Sequence, residues 1–218
     1  MKNRTEAVFI LDCSGSMAGL ERDTVGGFNA LIEQQQAEPE GNLIVSTILF
    51  SDRSSVLHDR VSLGEIEPLV KKDYRVGGRT ALLDTVGNAI NHIKNIYTNS
   101  REEDRPQKTL FVIATDGMEN ASRKFRYKEI KQLIKQQKQL GWEFIFLGAN
   151  LDAEEFADHL GIDASRAVNY HSDELGTKQI YAAMSKFVSY TRQNSLNDKA
   201  NDNAWRKDLD EDFKRRKK

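Results

Sequence analysis

Short apolar runs alternate along this chain with longer segments in which apolar residues recur every three or four positions. Short continuous runs bounded by polar residues are typical of buried strands, and the wider spacing is typical of helices with one buried face. The runs predict strands over residues 7–11, 43–50, 54–60, 110–114, 143–147 and 167–168. The periodic segments predict helices over residues 22–36, 127–140, 154–160 and 173–193. A further helix is predicted to begin with Thr80 as its N-cap. Its apolar residues at helical spacing run from Leu83 to Tyr97.

This alternation of strands and helices is typical of α/β proteins. Strands as apolar as these are covered on both faces, which favours a mostly parallel sheet between two layers of helices. We therefore predict a doubly wound α/β fold: a mostly parallel six-stranded sheet with helices on both faces and one antiparallel edge strand, over residues 54–60. The domain is expected to span residues 1–193, and residues 194–218 are expected to form a charged C-terminal tail or a helix extension.

The composition limits which classes of partner and which cellular compartment we expect. The 218 residues include 32 lysines and arginines against 33 aspartates and glutamates, so the formal net charge is −1. Such a balance gives no general attraction to nucleic acid or to an anionic membrane, and neither is expected as a partner. The longest apolar runs have only five residues, too few for a signal-peptide core or a membrane span. Since the single cysteine also excludes an internal disulfide, we expect a cytoplasmic protein.

The most informative motif directly follows the first predicted strand. Asp12, Ser14 and Ser16 place a carboxylate and two hydroxyl groups at alternate positions. Because strand residues two apart point the same way, an extended exit from the strand would direct all three oxygens to one point. Converging hard oxygens favour a cation of the Mg²⁺ type. The motif is also compared with a nucleophile, since Ser16 in residues 15–19 lies between two glycines, as the serine of the G-x-S-x-G pattern of serine hydrolases does, although it stands one position earlier than in that pattern.

Two further polar segments are predicted to reach the same edge of the sheet. Ligands of doubly wound sheets bind outside the carboxyl ends of the strands. Residues 77–80, Gly-Gly-Arg-Thr, lie at the start of the helix that Thr80 is predicted to cap, and residues 115–117, Thr-Asp-Gly, follow the strand over 110–114. They add Thr80 and Asp116 to the first three side chains. Five oxygen-bearing side chains from three loops are difficult to explain as separate turn residues.

Taken together, these three segments resemble the metal-ion-dependent adhesion site of von Willebrand factor type A domains. The pattern Asp12-x-Ser14-x-Ser16, followed by Thr80 and then Asp116, has the order and spacing of that site. The alternation of strands and helices from residue 6 to about 190 also fits the family's fold. Within the family, the chain is most similar to small intracellular bacterial or phage members. It departs from the family pattern where an arginine separates the two glycines from Thr80.

The resemblance implies a divalent-cation-dependent protein-binding module and not an enzyme. Ser14, Ser16 and Thr80 would coordinate Mg²⁺, or Mn²⁺ or Ca²⁺, directly or in part through water. Asp12 and Asp116 would accept hydrogen bonds from the surrounding water and from the serine hydroxyls. A site rich in neutral hydroxyls leaves the cation under-neutralised, so a protein partner would supply an Asp or Glu. By the same resemblance, the module could serve as an adaptor to a larger intracellular complex such as an ATPase.

The alternative reading is a serine hydrolase. Ser16 would be the nucleophile, and Asp116 with His159 or His171 would complete the chain order Ser, Asp, His. In that fold, however, the nucleophile usually follows a central strand with several strands before it. Here the motif follows the first strand, and a hydrolase gives no reason for Asp12 or Ser14.

Three neighbouring positions allow more than one role. Cys13 lies between two candidate ligands and is expected to pack into the core. Asp84, four residues after Thr80, either orients the site or interacts with the helix dipole. Residues 148–152 end a predicted strand at the same edge and either shape the rim of the site or cap the next helix.

Overall fold

The structure, a computed structural model, describes residues 4–38, 41–194 and 203–216. Its strands are β1 (Arg4–Asp12), β2 (Asn42–Phe50), β3 (Ser54–Ser62), β4 (Lys108–Thr115), β5 (Trp142–Ala149) and β6 (Ala167–Tyr170). Its α-helices are α1 (Glu21–Ala37), α2 (Leu82–Asn99), α3 (Tyr127–Gln139), α4 (Ala153–Leu160), α5 (Glu174–Gln193) and α6 (Lys207–Arg216). Among these described residues, no helix is both long enough and apolar enough to cross a membrane.

The six strands form one sheet in the order β3-β2-β1-β4-β5-β6. All neighbouring strands run parallel except β2 and β3, which are antiparallel. Every residue of the central strand β4 is buried, whereas β3 at the edge has only exposed or half-buried residues. The predicted α/β fold class, with its parallel sheet and antiparallel edge strand, is therefore confirmed.

Each face of the sheet carries its own apolar core. Along β1, Phe9 points to the face covered by α1 and α5, where it meets Phe28 edge-on with 5.8 Å between ring centroids. Ile10, the next residue, points to the opposite face, which is covered by α2, α3 and α4. This alternation follows from the two-residue period of a strand. Burial on both faces explains why the sequence shows continuous apolar runs.

The start of α2 corrects one prediction. Thr80 is not the N-cap: the cap position is Ala81, the helix begins at Leu82, and no side chain of the cap residue accepts a hydrogen bond. The N–H of Leu83 donates instead to Glu119 Oε2 at 2.9 Å. A carboxylate from a distant loop thus satisfies a helix terminus that local sequence assigned to Thr80.

The C-terminal residues that the structure describes pack against the domain. Trp205 and Leu209 are 3% and 2% exposed, and the Trp205 ring meets that of Phe187 in α5 edge-on at 5.4 Å. The predicted domain boundary after residue 193 stays a prediction, because residues 195–202 and 217–218 of the segment lie outside the described residues.

A buried carboxylate ties the edge strand to the centre of the sheet. Glu6 is fully buried and accepts hydrogen bonds from Arg60 Nε at 2.9 Å, Arg60 Nη2 at 3.0 Å and Tyr97 OH at 2.9 Å. Arg60 lies near irregular pairing between β2 and β3 and has a φ of +54°, which costs a non-glycine residue on the order of 1–2 kcal/mol. The ion pair between Arg60 and Glu6 offsets the cost of this backbone conformation.

We expect Arg60→Ala to lower the free energy of unfolding by about 3 kcal/mol, because it leaves the Glu6 carboxylate buried without its cation. Tyr97→Phe should cost only about 1 kcal/mol, since it removes one hydrogen bond and keeps the ion pair. Urea unfolding at pH 7 measures both. Arg101→Ala is the control, because its ion pair with Glu103 is exposed and should be worth less than about 0.5 kcal/mol. An Arg60→Ala loss as small as the control's would contradict the assigned role.

Candidate metal centre

Two carboxylates meet where β1 and β4 end. Asp12 is the last residue of β1, and Asp116 directly follows β4. Because these strands are parallel neighbours, their carboxyl ends lie at the same edge of the sheet. Asp12 and Asp116 are only 3% and 1% exposed. The structure therefore brings together the two carboxylates that the sequence singled out.

A chain of hydroxyl groups connects the first loop to Asp116. Ser16 Oγ donates to Asp116 Oδ1 at 2.5 Å and lies 3.0 Å from Ser14 Oγ. The Ser14 and Ser16 hydroxyls are thus within hydrogen-bonding distance of each other, and the Ser14 side chain also interacts with the Asp12 carboxylate. Residues Gly15–Met17 form one turn of 3-10 helix, which leaves Ser16 exposed while Ser14 is buried.

The Asp12 carboxylate is fixed by donors on both of its oxygens. The N–H of Ser14 donates to Oδ1 at 2.7 Å, and Thr115 Oγ1 donates to Oδ2 at 2.5 Å. Burial raises the pKa of Asp12, the hydrogen bonds from Thr115 and Ser14 act against this, and the charge of Asp116 adds to the rise. The two carboxylates are thus close enough for the charge of one to disfavour ionisation of the other.

Thr80 joins the same cluster through the loop that follows Asp116. Its N–H donates to Asn120 Oδ1 at 2.9 Å, and the N–H of Asn120 donates to the Thr80 carbonyl at 3.0 Å. A Cβ placed on Gly117 would lie 3.4 Å from both Ser16 Oγ and Thr80 Oγ1. Thr80 is 3% exposed, and in the described part of the chain its hydroxyl makes no hydrogen bond. All five predicted site residues therefore lie together.

The charge of this cluster suits a cation. Within the described residues, neither Asp12 nor Asp116 forms an ion pair with a lysine, arginine or histidine. Buried carboxylates without a compensating charge are costly, and a divalent cation would supply that charge. In the described ranges, no group of three or more His, Cys, Asp and Glu residues is placed to hold a metal, so a cation here would need the hydroxyl groups as well as the two carboxylates. Both kinds of oxygen are ligands that hard cations such as Mg²⁺ prefer.

A close approach of two loops requires glycine at position 78. Gly78 has a φ of +81°, and a Cβ there would lie 2.6 Å from Asp52 Oδ2. The same Asp52 carboxylate accepts the N–H of Arg79 at 2.8 Å, and the Gly78 carbonyl accepts the N–H of Gly15 at 3.0 Å. The extra arginine in this loop is thereby accommodated, with Thr80 still beside the other candidate ligands.

Two residues besides the five predicted ones hold Asp116. Ser172, between β6 and α5, donates through Oγ to Asp116 Oδ2 at 3.2 Å, and nothing in its sequence context points to this contact. Asn150 Nδ2 donates to the Asp116 carbonyl at 3.1 Å. Asn150 belongs to the segment 148–152 for which the sequence allowed two roles. Both occur, because Asp152 in the same segment caps α4 by accepting the N–H groups of Glu154 and Glu155, each at 3.1 Å.

Asp84 anchors the loop after Asp116 to the first turn of α2. Its carboxylate accepts the N–H groups of Arg123 and Lys124 at 2.9 Å and of Phe125 at 2.8 Å. Burial acts to raise the pKa of Asp84, but these three donors and the charge of Lys124 outweigh it, and the pKa lies below its ordinary value of 3.8. Asp84 thus acts on the site indirectly, through the loop that carries Asn120.

The prediction that Cys13 packs into the core is confirmed. Cys13 is 8% exposed within the core on the α1 and α5 face, and its Sγ donates to the Phe50 carbonyl at 3.2 Å. Burial, with the nearby charge of Asp12, raises the pKa of this thiol to about 11. A buried thiol with a raised pKa is a poor nucleophile at neutral pH, so the role of Cys13 is packing.

The family of the chain follows from its sequence as well as from this geometry. The sequence profile of the von Willebrand factor type A domain matches residues 6–183. The chain therefore belongs to the von Willebrand factor type A domain family. No curated protein sequence matches the chain.

Solved structures support the same fold. The von Willebrand factor domain of the pilus tip protein Mfa5 from Porphyromonas gingivalis is 9% identical, with a TM-score of 0.62 over 89% of this chain and 98% of that one. The ArnB paralog VWA2 from Sulfolobus acidocaldarius is 20% identical, with a TM-score of 0.56 over 86% and 45%. Proximal thread matrix protein 1 from the mussel byssus, solved with a zinc-occupied MIDAS (metal-ion-dependent adhesion site) motif, is 15% identical, with a TM-score of 0.57 over 86% and 46%. The chain thus spans less than half the length of the last two proteins, and at these identities the likeness concerns the fold alone.

The Asp84 anchor should give stability a defined pH dependence. A carboxylate whose pKa is lowered on folding stabilises the protein above its unfolded pKa, and this stabilisation is lost as the pH falls through the folded pKa. We expect Asp84→Asn to lower the free energy of unfolding by about 1–2 kcal/mol at pH 7, with the difference from the unmodified chain shrinking below pH 3.8. Urea unfolding at pH 7 and pH 3 measures it. Glu33→Gln, an exposed change in α1, is the control, and a difference that is constant with pH would contradict the role.

Proposed function

We propose that this chain is a divalent-cation-dependent protein-binding module. Ser14, Ser16 and Thr80 offer hydroxyl ligands, while Asp12 and Asp116 supply the negative charge and orient the serines. One observation carries the proposal: two carboxylates that are 3% and 1% exposed share an edge of the sheet with these hydroxyls and, in the described residues, have no basic partner. A cation at this edge would neutralise the negative charge of the two buried carboxylates.

The partner side of the proposal rests on exposure and charge. Ser16 is exposed, so the edge is open to an incoming group beside the hydroxyl chain. Neutral hydroxyl ligands leave a divalent cation with unneutralised charge, which an Asp or Glu of a protein partner would supply. The N-terminus of α2, directly after Thr80, adds a partial positive charge that favours an anion. The site would therefore hold a partner by a shared cation.

Mg²⁺ is the proposed ion, with Mn²⁺ or Ca²⁺ as substitutes. Carboxylate and hydroxyl oxygens are the ligands of hard divalent cations. The structure of the mussel protein, which has the same fold, is described with a zinc-occupied MIDAS motif, and this supports the proposal of a divalent ion. For this chain, the choice of metal rests on the donor atoms alone.

No catalytic role is proposed. The contacts of Ser16 Oγ in the described part of the chain are Ser14 and Asp116, and no histidine is among them. His159 lies against the Tyr127 ring and His171 against the Phe213 ring. A serine nucleophile needs an adjacent base, so the geometry gives the hydrolase alternative no support.

The proposed setting follows from the sequence resemblance. We place the chain with the intracellular bacterial or phage members of the family, in the cytoplasm, as an adaptor to a larger complex such as an ATPase. The support is the single cysteine, the balanced charge and the motif pattern. Neither nucleic acid nor membrane is a proposed partner.

Metal titration tests the site. We expect isothermal titration calorimetry to detect Mg²⁺ or Mn²⁺ binding with a Kd below about 1 mM, and Asp12→Ala and Asp116→Ala to weaken it at least about tenfold, because each removes one of the two buried charges. Asp59→Ala is the matched control, since this carboxylate is exposed on the edge strand β3 and should leave the Kd unchanged. Circular dichroism confirms folding of each variant. Absence of binding, or equal binding by Asp12→Ala, would overturn the metal site.

Metal removal tests the docking role. We expect protein partners captured from a native lysate by the tagged chain to be released by EDTA and to be missing from captures with Asp12→Ala, because the cation would link the two surfaces. We also expect no labelling of Ser16 by a fluorophosphonate probe. Capture unchanged by EDTA would contradict docking through the metal, and stoichiometric labelling of Ser16 would favour the hydrolase.

A further inference from the structure

The short segment 171–173, between β6 and α5, contacts the candidate metal centre and the C-terminal helix at once. Its middle residue, Ser172, donates to Asp116 Oδ2 at 3.2 Å. The residues on either side face α6: the His171 ring stacks on Phe213 with centroids 4.8 Å apart, and Asp173 Oδ2 accepts from Arg216 Nη1 at 2.6 Å. Alternate residues of one segment therefore point to the site and to the helix.

Helix α6 is itself firmly attached to the domain. Leu209 is buried at 2% exposure, and Asp208 forms an ion pair with Lys186 of α5. Arg216 also pairs with Asp212, which is 5% exposed, so its guanidinium is held between two carboxylates. These contacts involve residues beyond 183, where the match to the family profile ends. The helix is thus an addition to the matched domain that touches the site through one segment.

The segment depends on α6 because it has no regular structure of its own. Residues 171–173 belong to neither β6 nor α5, and their internal hydrogen bond is the turn from the Asp173 N–H to the His171 carbonyl at 2.8 Å. Asp173 Oδ1 accepts the N–H of Gly176 at the start of α5. Without α6, the His171 ring and the other Asp173 oxygen would lose the partners described above, while the Ser172 contact would remain as a single hydroxyl hydrogen bond.

We propose that α6 is an intramolecular brace that sets the metal affinity of the site, and that Ser172 is the positioning residue through which it acts. Docked, α6 fixes residues 171–173 so that Ser172 holds Asp116 Oδ2 while Ser16 holds Oδ1. Loosening α6 frees one oxygen of Asp116 and lets the carboxylate rotate away from the other ligands. This inference rests on the proposed function, since it concerns the affinity of the same site.

The test uses the full chain with point variants. We expect Ser172→Ala and the pair Phe213→Ala/Arg216→Ala each to weaken Mg²⁺ or Mn²⁺ binding on the order of tenfold, as is common for residues that orient ligands. The triple variant should bind no more weakly than Ser172→Ala, because both changes act through one contact. Arg215→Ala is the matched control: it lies in the same turn, is 74% exposed in its side chain and pairs with Asp212, and should leave the Kd unchanged.

A second measurement needs no metal. In the metal-free protein, hydrogen exchange at residues 116, 117 and 171–173 should be faster in Phe213→Ala/Arg216→Ala than in the unmodified chain and in Arg215→Ala, with exchange in β1 and β4 unchanged. The brace would be overturned if the losses of metal affinity in Ser172→Ala and in Phe213→Ala/Arg216→Ala added up fully in the triple variant, or if exchange at residues 116 and 117 were unchanged. Neither result would contradict the metal site itself. Absence of metal binding by the unmodified chain would overturn both proposals.

Discussion

The constraint on which this site depends is the placement of two carboxylates at the ends of adjacent parallel strands. Asp12 and Asp116 are nearly inaccessible to water, and the charge of Asp116 raises the pKa of Asp12. In a poorly solvated environment this repulsion is expensive, so the surrounding groups must be donors or cations. The described residues supply donors to these carboxylates: the backbone N–H of Ser14 and three side chains, namely Ser16, Thr115 and Ser172.

Those donors come from three separate segments, namely the loop after β1, the end of β4 and the segment between β6 and α5, which makes the site a product of the fold and not of one motif. The loop after β4 is an example. Asn120 holds the backbone of Thr80, Glu119 accepts the N–H of Leu83, and Asp84 accepts three N–H groups of residues 123–125. Each of these bonds joins the β4 loop to the start of α2. The position of Thr80 relative to Asp116 is therefore fixed by polar contacts that burial makes strong.

Sequence reasoning identified what strand periodicity and loop position control. The parallel sheet followed from continuous apolar runs, and Asp12, Ser14, Ser16, Thr80 and Asp116 were located because their loops leave the same edge. It could not identify contacts between residues distant in the chain. Nothing around Ser172 in the sequence indicates its contact with Asp116. Likewise, Glu119, whose carboxylate accepts an N–H group from the first turn of α2, is 36 residues away from Leu83 in the sequence. The packing of α6 was missed for a similar reason: a ten-residue helix with only two buried residues has a weak apolar signal.

Ser16 shows how such distant contacts decide between two readings of one motif. Its position after a strand, between glycines, fits a nucleophile as well as a ligand. In the fold, Ser16 donates its proton to Asp116 and lies 3.0 Å from the Ser14 hydroxyl, and in the described residues no imidazole is placed to take a proton from it. A hydroxyl in a chain from Ser14 to a carboxylate presents its oxygen at the open end of a negatively charged cluster. That arrangement favours holding a cation over attacking a carbonyl, because nothing near Ser16 would increase its nucleophilicity.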